Sequence, residues 1–409
     1  MDEPRPHKGV PTPLRYWLRQ QLPLVLIWTN SYERLAWAPL LVLLAQALEA
    51  PEALAFAASA YSAANLVGNM LLGAASDRLG PYRVAGVSLL FLALTTLLHL
   101  AAWSAWVLVV VRAFHGFFAA AVAPTSLSAA AEQGDANSRG RVMARMGLVI
   151  ALASVVASPL AGRMADALEL AMTVRIQTVF LLLVGVAALA AAGQKIAGGP
   201  ATEVERPEER KDEAAGPELD PRLTAFACVA GIAAMFGQNV LFYALPLKAS
   251  AAGLGPAVVG GMFGAFAIGA AVAFVPPFSK TADRFGRVRP VAVGSALSAA
   301  GMYLLGVGVE LGSIPLMATS LLAYGFGFGL VFPAVLAAAA DGSSGSRRGV
   351  AFGLVTASFS VGAIVGPLLG QALDPLIQPF TLASLVMLSA ALVARFVRVT
   401  AAPALSGRA

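Results

Sequence analysis

Residues 75–83 read ASDRLGPYR, and residues 281–289 read TADRFGRVR. Asp77, Arg78, Gly80 and Arg83 therefore recur as Asp283, Arg284, Gly286 and Arg289, 206 residues further on. The correspondence extends beyond this loop. SRGRV at 138–142 returns as RRGVA at 347–351, setting Arg139-Gly140 over Arg348-Gly349 at an offset of 209. SPLAG at 158–162 returns as GPLLG at 366–370, Pro39 matches Pro246, and Pro124 matches Pro333, at offsets of 208, 207 and 209. Five anchors spaced by about half of a 409-residue chain identify an internal duplication. A parallel repeat of this kind implies a pseudo-two-fold axis along the membrane normal and a cavity between the halves.

Composition names the solvent. The chain is 58% hydrophobic before its 40 glycines are counted, only 12% charged, and has a mean hydropathy of +0.76. Soluble domains are about 45–50% apolar with glycine included and about 25% charged. Too few polar residues remain to cover a water-facing surface, which argues against a soluble enzyme, a nucleic-acid binder or a disordered scaffold. The single cysteine, Cys228, excludes an internal disulfide and any multi-thiolate metal site. His7, His99 and His115 are scattered, so no metal is expected, and no motif asks for a cofactor.

A spanning helix needs about 20 mostly apolar residues. That window finds twelve candidates, at 22–47, 51–75, 83–103, 105–131, 141–167, 171–193, 222–248, 256–278, 289–309, 313–339, 348–373 and 376–398. The expected fold is an all-α membrane protein with twelve transmembrane helices in two pseudo-symmetric six-helix bundles. Its expected parts are an N-terminus at 1–21, bundles at 22–193 and 222–398, a polar, proline-punctuated linker at 194–221, and a C-terminus at 399–409. The first span is too long for the apolar region of a signal peptide and carries charges at its centre. Of 28 Lys and Arg, 23 fall in the termini, the linker or the even-to-odd loops, and the opposite side holds only Arg163, Arg175 and Lys248. Basic loops stay cytoplasmic, which puts both termini inside and explains a pI near 9.7 without nucleic acid.

The duplicated loop resembles the loop 2–3 signature of the major facilitator superfamily, G-x-x-x-D-R-x-G-R-[KR]. Gly73, Asp77, Arg78 and Gly80 match; Pro81 stands where a basic residue is usual, and Arg83 is displaced. RAFHG at 112–116, with Arg112 and Gly116, is similar to the span-4 signature R-x-x-Q-G, His115 replacing glutamine. A span-5 ladder ending G-P-x-x-G is reduced here to Ser158-Pro159-Leu160-Ala161-Gly162, while span 11 has the cleaner copy Gly353, Gly362, Gly366, Pro367 and Gly370. That ladder resembles the twelve-span drug/proton antiporter branch. The resemblance implies a cytoplasmic gate at Gly73, Asp77, Arg78, Gly80 and Arg83, and in the second copy at Asp283, Arg284, Gly286 and Arg287. Physically, a carboxylate such as Asp77 at a helix end suits hydrogen bonds from a neighbouring helix N-terminus. Gly362, Gly366 and Gly370 share one helix face, where small residues let helices approach closely, and proline can bend a span. Pro159, Gly162 and the span-11 ladder are accordingly expected to serve packing or a hinge.

Charge inside a span carries more information, because it faces a cavity or a partner. Of 22 acidic residues only Glu33 lies near the centre of a span. Asn30, Glu33, Arg34 and Trp37 follow i, i+3, i+4, i+7 spacing, share one face and are expected to line the cavity. Adjacent helix positions do not face each other, so Arg112 from span 4, rather than Arg34, is the expected partner of Glu33. At the repeat offsets Glu33, Arg34, Arg112 and His115 are replaced by Val240, Leu241, Leu321 and Tyr324. The asymmetry assigns proton coupling to Glu33, with His115 in reserve, and places Arg34 and Arg112 at the substrate. The second half offers Gln238, Asn239, Phe242, Tyr243 and Tyr324 as hydrogen-bonding and aromatic cavity surface.

No phosphate-cradling G-x-x-x-x-G-K-[ST] is present, and GFGFG at 325–329 sits inside an apolar span, so any energy the protein needs must come from an ion gradient. The expected function is secondary active transport, not enzyme catalysis. The expected form is proton-coupled export of small amphipathic molecules by alternating access, by a monomer in the cell membrane. The alternative is a proton symporter or uniporter importing a small anionic or zwitterionic solute, because Glu33 against Arg34 and Arg112 leaves one net positive charge. A third class is a sensor or assembly factor on the same scaffold.

Overall fold

Glycine and proline set the helix boundaries in the computed structural model, which describes residues 13–131, 139–192, 219–275, 277–278, 281–343 and 347–394. The first half contains α1 (Pro13–Ala47), α2 (Ala53–Leu79), α3 (Pro81–Leu98), α4 (Ala105–Ala119), α5 (Val122–Ala131) and α6 (Arg139–Ala192). The second contains α7 (Pro221–Ala251), α8 (Pro256–Ala273), α9 (Thr281–Phe285), α10 (Val288–Glu310), α11 (Ile314–Asp341), α12 (Arg348–Ala372) and α13 (Pro379–Val393). The duplicated D-R-x-G loop has one backbone reason in both halves. Gly80 has φ 88° and Gly286 has φ 78°, left-handed values that glycine adopts without steric penalty and that reverse the chain between two helices. Asp220 caps α7, its carboxylate accepting from Arg222 N at 2.9 Å and Leu223 N at 3.2 Å, with Pro221 opening the first turn.

Several boundaries differ from the sequence expectation. α1 begins at Pro13 and not at 22, so part of the expected N-terminal tail is helical; Pro23 lies within this helix. The expected span 105–131 is interrupted at Ala120–Ala121, between α4 and α5. α6, with 54 residues, would extend about 80 Å if straight, at about 1.5 Å per residue. It instead breaks at Glu169 (φ 64°, ψ 159°) into legs 139–168 and 170–192, matching the two expected spans there. Most of the linker at 194–221, the residues 1–12 and the tail at 399–409 lie outside the described residues.

Within the first half α6 packs on α1 and α3, and α2 packs on α4; within the second, α10 and α8 flank α11, and α7 packs on α12. The halves meet where α8 lies against α6 and α12 against α2. Eight helical stretches among the described residues are long and apolar enough to cross a membrane. Large side chains such as Met70 (70% exposed), Trp103 (79%) and Trp106 (71%) point outward, a surface that lipid covers. The two tryptophans flank Ser104 at the end of the molecule that carries the turns before α2, α4, α8, α11 and α13. We call this the far end, and the opposite one, with the Gly80 and Gly286 turns, the basic end.

Candidate functional site

The site starts from one close helix crossing. A Cβ on Gly116 of α4 would strike the backbone of Tyr61 on α2, its Cα at 2.8 Å, so only glycine lets these helices meet at this depth. Asn65 Nδ2 donates to the Gly116 carbonyl at 3.0 Å and holds the same crossing. The crossing lays the Tyr61 ring beneath Arg112, whose guanidinium carbon stands 4.6 Å from the Tyr61 centroid and 5.3 Å from that of Trp37. A cation over an aromatic face is attracted by the ring quadrupole, most strongly when desolvated, and Arg112 is only 7% exposed.

Arg112 is not the partner of Glu33. Glu33 Oε1 is hydrogen-bonded to His115 Nε2, and both groups are buried. Arg112 and His115 lie one turn apart on α4. The short, rigid imidazole reaches across to α1, while the longer arginine bends onto the two aromatic rings. Nε and Nη1 of Arg112 have no hydrogen-bond partner. Trp37, also from α1, is 1% exposed and packs against His99 (centroids 4.1 Å apart) and His115 (5.4 Å).

These residues back onto a narrow cleft of about 60 Å³, partly open to solvent, between α1, α2 and α4 of the first half and α7 of the second. Of the expected cavity residues, Arg34, Trp37, Arg112, Asn239, Phe242 and Tyr243 line it. Asn30, Gln238 and Tyr324 do not. Tyr324 is fully buried, 5.2 Å from the Phe266 ring, because α11 turns this face toward α8. Glu33 and His115 sit behind the wall rather than in it, so the charged side chains lining the cleft are Arg34 and Arg112. Tyr61, Ser62 and Pro246, none of them an expected site residue, also line the cleft, and His99 packs behind it on Trp37. The signal available was the polar series Tyr61, Ser62, Asn65, Asn69 along one stretch of α2.

The two ends of the molecule differ. Hydrogen bonds cross between the halves toward the far end: Gln46 Nε2 to Ser250 Oγ at 2.7 Å, Ser59 Oγ to the Ile364 carbonyl at 2.7 Å, and Ala257 N to Asp166 Oδ2 at 3.1 Å. Pro159 and Gly162 lie in the same seam, Gly162 against Pro256 and Ala257 and Pro159 against Gly260 and Gly264. Lys248 Nζ also donates to both oxygens of Asp374, at 2.8 and 2.6 Å.

At the basic end Asp77 and Arg78 are exposed, and Asp77 makes no hydrogen bond or ion pair among the described residues. The carboxylate-to-helix-N-terminus contact expected of Asp77 is thus made at the other end, by Asp166 on α8. Gly73 has open space around it, and Arg83 borders a groove with Leu72, Leu79 and Leu189. In the second copy Arg287 Nε donates to Asp341 Oδ2 at 2.6 Å, and Arg284 lies over the Phe285 ring at 5.6 Å. The Asp283 side chain lies outside the described residues. Gly362, Gly366 and Gly370 all seat on α7, against Ile232, Phe236 and Tyr243 respectively, with Pro367 inside an unbroken α12.

Comparison with known proteins agrees with this architecture. A family model described as Major Facilitator Superfamily matches residues 24–226 and 227–408. A search of curated protein sequences returned no match. Among solved structures, the human organic anion transporter MFSD10 (TETRAN) superposes with a TM-score of 0.64 at 19% identity, over 92% of this chain and 99% of that one. At that identity the likeness shows the fold.

Proposed function

The chain belongs to the major facilitator superfamily and is a multi-pass secondary transporter of small molecules, not an enzyme; from that premise we propose that it moves a small organic anion with an apolar or aromatic body, coupled to protons, by alternating access. The observation that carries this reading is the charge of the cleft. Its lining holds two guanidiniums and no carboxylate, set among the rings of Trp37, Tyr61, Phe242 and Tyr243, with Asn239 as a polar group from the second half. A flat anion suits such a site, because guanidinium binds carboxylate in planar geometry and the rings bury an apolar body. The solved relative is itself an organic anion transporter, which agrees in sign of charge.

The buried Glu33–His115 pair supports the coupling role. A proton added to this pair places one more positive charge a turn from Arg112, and so strengthens the hold on an anion. By linkage the anion strengthens the hold on the proton equally. Mutual reinforcement is the condition for symport, whereas a cationic cargo would compete with the proton. Proton-coupled export of an amphipathic molecule is the second reading. It is favoured by the ladder Gly362, Gly366, Gly370, which seats on α7 as a close-packed helix seam.

The architecture proposed is twelve spans, in bundles at 22–193 and 222–398 joined by a linker at 194–221. Breaking α6 at Glu169, joining α4 to α5 and leaving out short α9 brings the helices to that number. α1 and α2 belong among them: their apolar content is diluted by Glu33, Arg34, Asn65 and Asn69, of which Glu33 is buried, Arg34 lines the cleft and Asn65 holds the crossing with α4. The basic end faces the cytoplasm of a cell membrane, by the excess of Lys and Arg there. The cross-half contacts at the far end then hold the outside shut, and Asp77, Arg78, Arg83, Arg284 and Arg287 act in closing the inside.

Uptake of labelled benzoate and labelled benzylamine into proteoliposomes, in counterflow and under an imposed pH gradient, tests the reading. Saturable benzoate counterflow and accumulation toward the alkaline side are expected. Accumulation of benzylamine against the proton gradient, with no benzoate transport, would establish the antiport reading instead.

A further inference from the structure

We propose that His99 is a proton-relay residue, linking the Glu33–His115 pair to the far end of the molecule. This rests on the proton-coupling role given above to Glu33. His99 closes α3 in a short 3-10 turn, His99–Ala101, four residues before the exposed Trp103 and yet with 0% exposure itself. Its Nδ1 bonds the Thr95 carbonyl at 2.7 Å. A carbonyl only accepts, so Nδ1 carries the hydrogen and the Nε2 lone pair is left as an acceptor. That Nε2 is buried and has no partner.

The ring beside it has the matching gap. His99 and His115 stand 5.1 Å apart between centroids and nearly perpendicular, at 84°. His115 uses Nε2 for Glu33, and its Nδ1 is also buried without a partner. A buried polar atom without a partner is uncommon and calls for an explanation. Here two such atoms sit on neighbouring imidazoles, each with a lone pair that can take a proton. Trp37 lies against His99, with centroids 4.1 Å apart and the planes tilted by 32°, and keeps the rings in place. The charged and titratable groups around this point are His115 and Arg112 from α4, Glu33 from α1 behind His115, and Tyr61 from α2, 6.1 Å from His115.

The transfer balances. A proton arriving from the far side binds His99 Nε2 and makes a transient imidazolium. It passes, directly or through one water, to His115 Nδ1. His115 then releases the proton on Nε2 to Glu33 Oε1. Glu33 ends neutral, both imidazoles end neutral, and His115 has exchanged one tautomer for the other; the reverse sequence discharges the site. The route proposed for His99 is exchange with the far side.

The test compares His99→Phe, which keeps a flat ring on Trp37 but binds no proton, with Glu33→Gln, in proteoliposomes using labelled benzoate. His99→Phe is expected to slow pH-gradient-driven uptake by about tenfold or more, and to flatten its dependence on the pH of the far-side compartment. Counterflow at equal pH should stay within about twofold of wild type. Wild-type driven uptake and an unchanged far-side pH profile in His99→Phe, with Glu33→Gln inactive in driven uptake, would overturn the relay alone. Unimpaired driven uptake in Glu33→Gln would overturn the coupling reading beneath it. Loss of counterflow in a monodisperse His99→Phe protein would assign His99 a structural role and also overturn the relay. His99→Gln, which is polar but does not titrate, should behave as His99→Phe does.

Discussion

Glu33 of α1 and His115 of α4 share a buried hydrogen bond, while Arg112, one turn from His115, is directed to the faces of Tyr61 and Trp37. The carboxylate is therefore held by a group that can itself gain or lose a proton. A permanent ion pair with arginine would leave the carboxylate charged and idle through the cycle.

Glu33→Gln keeps the shape of the protonated acid and removes its charge. Accumulation driven by a pH gradient should fall to the passive level, while counterflow of labelled benzoate persists. Flow in proteoliposomes with and without the gradient measures both. Uphill transport surviving in this variant would move the proton route elsewhere.

Arg112→Lys preserves charge but not the planar fork or the close guanidinium contact with the Tyr61 face. A desolvated cation–π contact contributes roughly 1–2 kcal/mol, so the KM for benzoate should rise by about tenfold. Arg34→Gln should weaken benzoate as well, whereas neither change should impair a neutral aromatic probe. Equal losses for charged and neutral probes would indicate a packing defect.

Gly162→Leu inserts a side chain where the Pro256 and Ala257 backbone already lies, in the seam between α6 and α8. Overpacking of this kind costs about 1–3 kcal/mol, and here it falls on one conformation only. Far-end closure should be lost. Cysteines engineered near Gln46 and Ser250, after replacing Cys228, should label about tenfold faster with a membrane-impermeant maleimide. Unchanged labelling would show that the seam does not govern closure.

Asp77→Asn should leave this conformation intact, because Asp77 is exposed and without a partner among the described residues. Any contact it makes belongs to the state closed at the basic end. The variant should therefore raise the population open at that end, read as faster labelling beside Gly73 and slower labelling beside Ser250. No shift at either position would remove Asp77 from the gate.

Much was legible in one dimension because it depends on local chemistry. Mean hydropathy of +0.76 fixes lipid as the solvent, and the DR-x-G repeat declares the duplication. Gly80 and Gly286, both at positive φ, show that the repeated letters encode a repeated backbone turn. The face of α1 carrying Glu33, Arg34 and Trp37 followed from helical spacing, and so did Arg112 and His115 on one side of α4. What spacing does not contain is the rotation and depth of α4 against α1 and α2. The Gly116–Tyr61 crossing decides that, and with it whether Glu33 meets an arginine or an imidazole. His99, distant in sequence and closing a different helix, joins the cluster only through its ring contacts with Trp37 and His115. The sequence by itself determined the membrane fold, its duplication and which residues carry charge inside it. Tertiary structure alone decided which of those charges meet, because a pairing between helices depends on packing contacts that no single helix encodes.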